Sequence, residues 1–316
     1  MKNRRLLHLC WPMLALLATT APAQRVVGTV NLGSGNPFGI AVNPVTDQYY
    51  VANKGFVVID GATLKTTTIS SGAPAAIGVI AVNPATNKIY ATDFFDNLVI
   101  ELDGATLKTT SINLSPSTGP VALAVNAATN TIYVANQNSD NVTVIDGATR
   151  NITTVSAGKS PFSIAVNPVS NTIYLANRGT SPNYTDGNVT VIDGATLKTA
   201  TVTAGTQPVC VAVNPVTNKA YVTNYSSNNV TVINGADNTT ATVNVQNSPI
   251  CAAVDTLRNK TYVANSNSAS VTVIDGANNT TNVTTGFDPQ AVGVNAANGQ
   301  VYTANFSNNS VTVIDP

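Results

Sequence analysis

The chain has 316 residues, with 15 basic and 15 acidic side chains and a charged fraction of only 9%, so it lacks the basic excess that binding to a polyanion requires. Its only His (His8), its only Trp (Trp11) and both Met residues (Met1, Met13) sit close to the N-terminus, and everything downstream is free of imidazole. This excludes from the bulk of the chain a neutral-pH imidazole base, a Ser-His-Asp or Cys-His nucleophile system, and His ligation of zinc, copper or haem iron.

In chain order, residues 1–23 come first. A basic start (Lys2, Arg4, Arg5), an apolar stretch from Leu6 to Leu17 and Ala21-Pro22-Ala23 before Gln24 have the layout of a secretory signal peptide cleaved after Ala23. Cys10 lies inside the apolar stretch, with more of it downstream, which argues against lipid attachment there. Cleavage leaves 12 Lys and Arg against 15 Asp and Glu, a net charge near −3. The mature protein is therefore expected to be secreted, periplasmic or at the cell surface, with no transmembrane segment.

The remainder is a tandem repeat. A turn residue recurs at Asn43, Asn83, Asn126, Asn167, Asn214, Asp255 and Asn295, in steps of 40, 43, 41, 47, 41 and 40 residues, the period of stacked supersecondary units. Within one unit, Ser163-Ile-Ala-Val166 is an apolar run, Asn167 to Asn171 a tight turn, Thr172-Ile-Tyr-Leu175 and Val189-Thr-Val-Ile192 alternating strands, Asp193-Gly194 a second turn, and Thr199-Ala-Thr-Val202 a fourth strand. Four antiparallel strands in about 40 residues describe a propeller blade.

The expected fold is therefore all-β: a seven-bladed β-propeller of four-stranded antiparallel blades at about 37–73, 74–117, 118–159, 160–206, 207–247, 248–287 and 288–316 plus 24–36. The last unit ends at Val311-Thr-Val-Ile-Asp-Pro316 without a fourth strand, whereas Arg25 to Leu32 resembles one. That N-terminal strand is expected to complete blade seven and to remove an open sheet edge.

Tyr221-Val-Thr-Asn224, with Tyr-Val-Ala-Asn at 50–53, 133–136 and 262–265, resembles the YVTN family of β-propeller repeats over essentially the whole mature chain. The resemblance implies a cell-surface or periplasmic protein and, more distantly, lactonase-like and streptogramin lyase-like propellers. The lyase-like activity loses support, because catalysis in that family uses a His. No Cys-X-X-Cys-His haem attachment motif is present, so the resemblance to electron-transfer propellers carries over no cofactor residues.

Most acidic residues have a turn-forming explanation: Asp60, Asp103, Asp146, Asp193 and Asp275 all precede Gly at one hairpin, with Asn234 in the series. Asn53, Asp93, Asn136, Asn177, Asn224, Asn265 and Asn305 end each second strand and are expected to cap turns through Asx geometry. Glu101, the only Glu, takes a position held by Val144 and Val191 elsewhere; it is expected to be half-buried, reaching solvent or a backbone donor. Cys210 and Cys251 hold equivalent inner-strand positions in adjacent blades, leaving open either two free thiols or a disulfide.

Candidates for binding lie where the repeats disagree. Blade one is clipped at Lys54-Gly55-Phe56. Blade two carries Asp93-Phe94-Phe95-Asp96, two adjacent rings between carboxylates. Blade four is lengthened by an insertion that brings Arg178, Tyr184 and Asp186 into one loop, and Lys159 and Asp288 precede inner strands near the channel mouth. The leading reading is a monomeric, non-catalytic binding scaffold without a cofactor, engaging a protein, glycan or other envelope partner across Lys54, Asp93, Phe94, Phe95, Asp96, Arg178, Tyr184 and Asp186. A second reading is a lactonase-like hydrolase holding Ca²⁺ or Mg²⁺ on Asp93, Asp96, Asp186 and Asp288. A third, a periplasmic binder of single-stranded DNA, gains aromatic platforms from Phe94 and Phe95 but conflicts with the charge.

Overall fold

A computed structural model describes residues 30, 32, 39–72 and 77–315 of the chain. Seven antiparallel sheets succeed one another in chain order around a ring, forming a seven-bladed β-propeller. Blade four is representative: Pro161–Asn167 is the innermost strand, followed outward by Thr172–Asn177, Asn188–Asp193 and Thr199–Thr203, each paired antiparallel to the one before. The only helix among the described residues is a single 3-10 turn at Ser266–Ser268, so none is long and apolar enough to cross a membrane.

The period-two pattern of each second and third strand places apolar side chains on both faces, because each blade is covered on both sides. Tyr50, Tyr90, Tyr133, Tyr174, Tyr221 and Tyr262, one from each second strand of blades one to six, are essentially fully buried. Their rings anchor six apolar clusters, which bridge successive blades from the one–two pair to the six–seven pair. At about 25 cal/mol per Å² of apolar surface, these contacts supply the main driving force for stacking one blade on the next.

Polar side chains tie the blades together at their ends. In blades one to five the anchor Asn of the first strand accepts a backbone N–H two residues on, and donates its amide to an Asn in the following blade: Asn43 to Asn87 at 2.8 Å, Asn83 to Asn130 at 2.8 Å, Asn126 to Asn171 at 2.7 Å, Asn167 to Asn218 at 2.8 Å and Asn214 to Asn259 at 3.0 Å. The receiving Asn residues have positive φ near 50°, which Asn tolerates better than other non-Gly residues. At blade six, Asp255 substitutes for Asn, and Arg258 bridges it to the Asn298 carbonyl of blade seven.

Among the described residues blade seven has three strands, Pro289–Val294, Val301–Asn305 and Ser310–Ile314. Its last strand carries Val311 and Val313 at 62% and 47% exposure, and the innermost strand of blade one carries Ile40 and Val42 at 63% and 47%. The expected closing strand, Arg25 to Leu32, lies outside the described residues apart from Val30 and Leu32, and the signal peptide expected at residues 1–23 lies wholly outside them. The Leu32 carbonyl accepts a 3.5 Å hydrogen bond from Asn53 in blade one.

Candidate functional site

The most chemically varied concavity among the described residues is a rim cavity of about 280 Å³ between blades three and four. Gln137, Asp140, Lys159, Ser160, Arg178 and Tyr184 supply its functional groups. Its shape begins with a β-bulge. Pro161 lacks an N–H, the register of the inner strand slips between Pro161 and Ser163, and Phe162 is the extra residue. Backbone bonds from Arg178 N to Ser160 O and from Gly179 N to Lys159 O, both 3.0 Å, then fasten the start of the blade-four insertion to the linker between the blades.

Inside this frame the Arg178 guanidinium lies between two rings, 4.6 Å from the Phe162 centroid and 5.0 Å from that of Tyr184. The stacking fixes the plane of the guanidinium without using its N–H groups. Arg178 Nε is buried without a hydrogen-bond partner, and no carboxylate among the described residues pairs with the side chain. Lys159 donates to Asp140 at 2.7 Å, and the hydrogen bond and charge of Asp140 raise the Lys159 pKa further. The other Asp140 oxygen accepts the Ser160 N–H at 2.8 Å, while Gln137 reaches Ser160 Oγ at 3.2 Å. The cavity thus presents a stacked, unpaired cation beside a compensated one, with neutral donors around them.

The structure brings Arg178 and Tyr184 together, as the insertion suggested, and gives Asp186 a different task. Asp186 accepts the Thr180 backbone N–H at 2.6 Å and the Thr180 hydroxyl at 2.7 Å, which closes the insertion on itself and holds the Asp186 pKa down. Phe162, Asp140 and Gln137 escape the sequence reading. Phe162 is not singled out there: the residue after the strand-initiating proline is Val121, Val209, Ile250 or Gln290 in four other blades, but blade one also has an aromatic, Phe38.

The other candidates lie apart from this cavity. Lys54 is exposed on blade one, where the clipped turn leads into the strand Phe56–Asp60 and Phe56 is fully buried. Gly55 is required in that turn, since a Cβ would lie 2.4 Å from the Ile69 carbonyl oxygen. On blade two, Phe94 is partly covered and meets Phe95 edge-on at a centroid distance of 5.4 Å, leaving Phe95 76% exposed. Phe287 and Phe306, on blade seven, are similarly exposed at 67% and 73%.

Asp93 is fully buried, and desolvation raises its pKa; it accepts the Asp96 N–H at 3.1 Å. Asp288 on blade seven accepts hydrogen bonds from Gln290 and Ser307. The four acidic candidates for Ca²⁺ or Mg²⁺ are thus spread over blades two, four and seven, and no group of three or more His, Cys, Asp or Glu among the described residues is arranged to share a metal.

Two sequence expectations require correction. The Asn residues ending the second strands do not close Asx turns: Asn136, Asn177 and Asn224 each donate through Nδ2 to an Asn and a Thr of the neighbouring third strand, at 2.8–2.9 Å. In blade two the corresponding acceptors are replaced by Leu98 and Ile100, and there a carboxylate, Asp93, accepts a backbone N–H instead. Glu101, expected to be half-buried, is 2% exposed and reaches neither solvent nor backbone. Lys88 donates to Oε1, and Arg150 from blade three grips both oxygens, Nη2 to Oε1 at 2.9 Å and Nε to Oε2 at 3.2 Å. Arg150 occupies the position of Leu107 and Leu197 in neighbouring blades, so a Glu–Arg pair replaces the Val–Leu contact made elsewhere.

Comparison with known proteins agrees on architecture. No family model matches the chain, and no curated protein matches it. Among solved structures, it is similar to Kuenenia stuttgartiensis hydrazine synthase, with a TM-score of 0.70 and 18% identity over 93% of this chain and 99% of that one. It is also similar to a streptogramin B lyase, with a TM-score of 0.72 and 13% identity over 90% of this chain and 94% of that one. At such identities the likeness establishes the propeller fold alone.

Proposed function

We propose that this protein is an exported, non-catalytic binding scaffold of the YVTN-like kind, and that the rim cavity between blades three and four grips an acidic sugar of an envelope glycan. The observation that carries this reading is Arg178, a guanidinium oriented by Phe162 and Tyr184 with its donors unclaimed by any described carboxylate. A planar fork of N–H donors matches a carboxylate, while Gln137, Ser160 and Thr180 supply neutral groups for hydroxyls. The cavity, at about 280 Å³, is at the lower end of ligand pockets and suits a single sugar residue rather than a larger cofactor.

Calorimetric titration with glucuronate and with glucose tests the reading. Glucuronate is expected to bind, and glucose to bind at least about ten-fold more weakly, since one charge-assisted bidentate contact is worth roughly 1.5–3 kcal/mol. Arg178→Lys keeps the charge but loses the fork, and is expected to remove most of this discrimination with Tm unchanged. Equal affinities for the two sugars, or undiminished glucuronate binding by the variant, would refute it.

A further inference from the structure

Cys210 and Cys251 each stand two residues after the proline that opens an inner strand, in the adjacent blades five and six, and they pair in register with Thr223 and Ala264 of their second strands. Cys210 Sγ accepts the N–H of Ala252, the residue following Cys251, at 3.4 Å, so its side chain crosses the gap between the blades. The two thiols perturb one another's ionisation, both are free, and both residues are half-buried rather than sealed. We infer that Cys210 and Cys251 form a redox-active pair that closes to a disulfide joining blades five and six.

The neighbouring Cys210 thiol lowers the Cys251 pKa, while Cys251 and burial raise that of Cys210. With a small-molecule disulfide such as oxidised glutathione, one cysteine thiolate forms a mixed disulfide and releases one glutathione thiolate. The other cysteine then displaces the second glutathione, and its proton passes to solvent. The protein loses two electrons and two protons, and the small disulfide leaves as two thiols.

The test uses the full chain, folded and incubated with oxidised glutathione. Free thiols are then blocked with N-ethylmaleimide in denaturant, and the protein is digested with trypsin without reduction. Because Lys219 separates the two cysteines, trypsin puts them on different peptides. A peptide cross-linked through Cys210 and Cys251, lost on treatment with dithiothreitol, is expected. Maleimide on both cysteines, a stable glutathione adduct on wild-type Cys251, or cross-linking to Cys10 would overturn the inference. Cys210→Ser and Cys251→Ser are each expected to trap a glutathione adduct on the remaining cysteine; failure of both variants to take up glutathione would contradict the inference.

Discussion

Exchanging the Glu101–Arg150 pair for the Val–Leu pair of the other blades tests whether this buried ion cluster stabilises the interface between blades two and three or merely tolerates its own burial. Glu101 has its side chain 2% exposed, whereas Arg150 and Lys88 reach solvent at 41% and 22%. Arg150→Leu leaves a buried carboxylate with Lys88 as its remaining cation. Breaking a buried pair costs about 3–5 kcal/mol when the orphaned charge is sealed, and with Lys88 retained about 2–3 kcal/mol is expected. Glu101→Val leaves two cations that can turn outward, and is expected to cost about 1–2 kcal/mol. The double variant Glu101→Val, Arg150→Leu recreates the packed pair seen at Val144 and Leu197, and is expected to lie within about 1 kcal/mol of the parent or above it. Thermal melts at one pH should then show Tm falling by roughly 5–10 °C for Arg150→Leu, by less for Glu101→Val, and returning near the parent value in the double variant. A double variant whose loss equals the sum of the two single losses would refute the argument that the pair is an electrostatic substitute for an apolar contact.

Acid should weaken the propeller through its repeated hairpins. Backbone and hydroxyl donors from the following Thr and Ala lower the pKa of Asp103, Asp146 and Asp193, so their stabilisation is complete above the unfolded value of about 3.9 and is lost as pH falls through the lowered folded values. Replacing the three by Asn, which blade five already uses at Asn234, is expected to flatten the fall of Tm between about pH 4 and pH 2; an unchanged acid limb would place the titration elsewhere. Asn126→Ala removes from a buried side chain the 2.7 Å bond to Asn171 and the acceptor of the Ala128 N–H, both part-buried, and should cost about 1–2 kcal/mol in a denaturant titration. Deleting residues 25–32 is expected to leave the last strand of blade seven, Ser310–Ile314, as an open edge and to produce aggregates on size-exclusion chromatography, whereas a monodisperse truncation with the parent Tm would count against the closing strand.

The number of blades, the strand order and the hairpin turns were legible in the sequence because they follow from local chemistry repeated at a fixed period: β-branched alternation, Asn-Pro and Asp-Gly turns, and a Tyr in every second strand, buried in blades one to six. Departures from the repeat were equally legible, which is why the blade-four insertion directed attention to Arg178 and Tyr184. What those departures do was not legible, since it depends on how side chains meet once folded, across blades for Glu101 and Arg150, 49 residues apart, and across one folded-back loop for Asp186 and Thr180. Glu101 reads as an exception until Arg150 is placed against it, and Asp186 reads as a ligand until Thr180 occupies both its oxygens. The sequence alone determined a ring of near-identical sheets, because strand and turn preferences act within a single repeat. Only the tertiary structure decided where an unpaired cation, a buried ion cluster and a pair of interacting thiols arise, because the ion cluster and the thiol pair are made by two blades that stacking brings together, and the cation's setting by the blade-four insertion folding over Phe162 of its own inner strand.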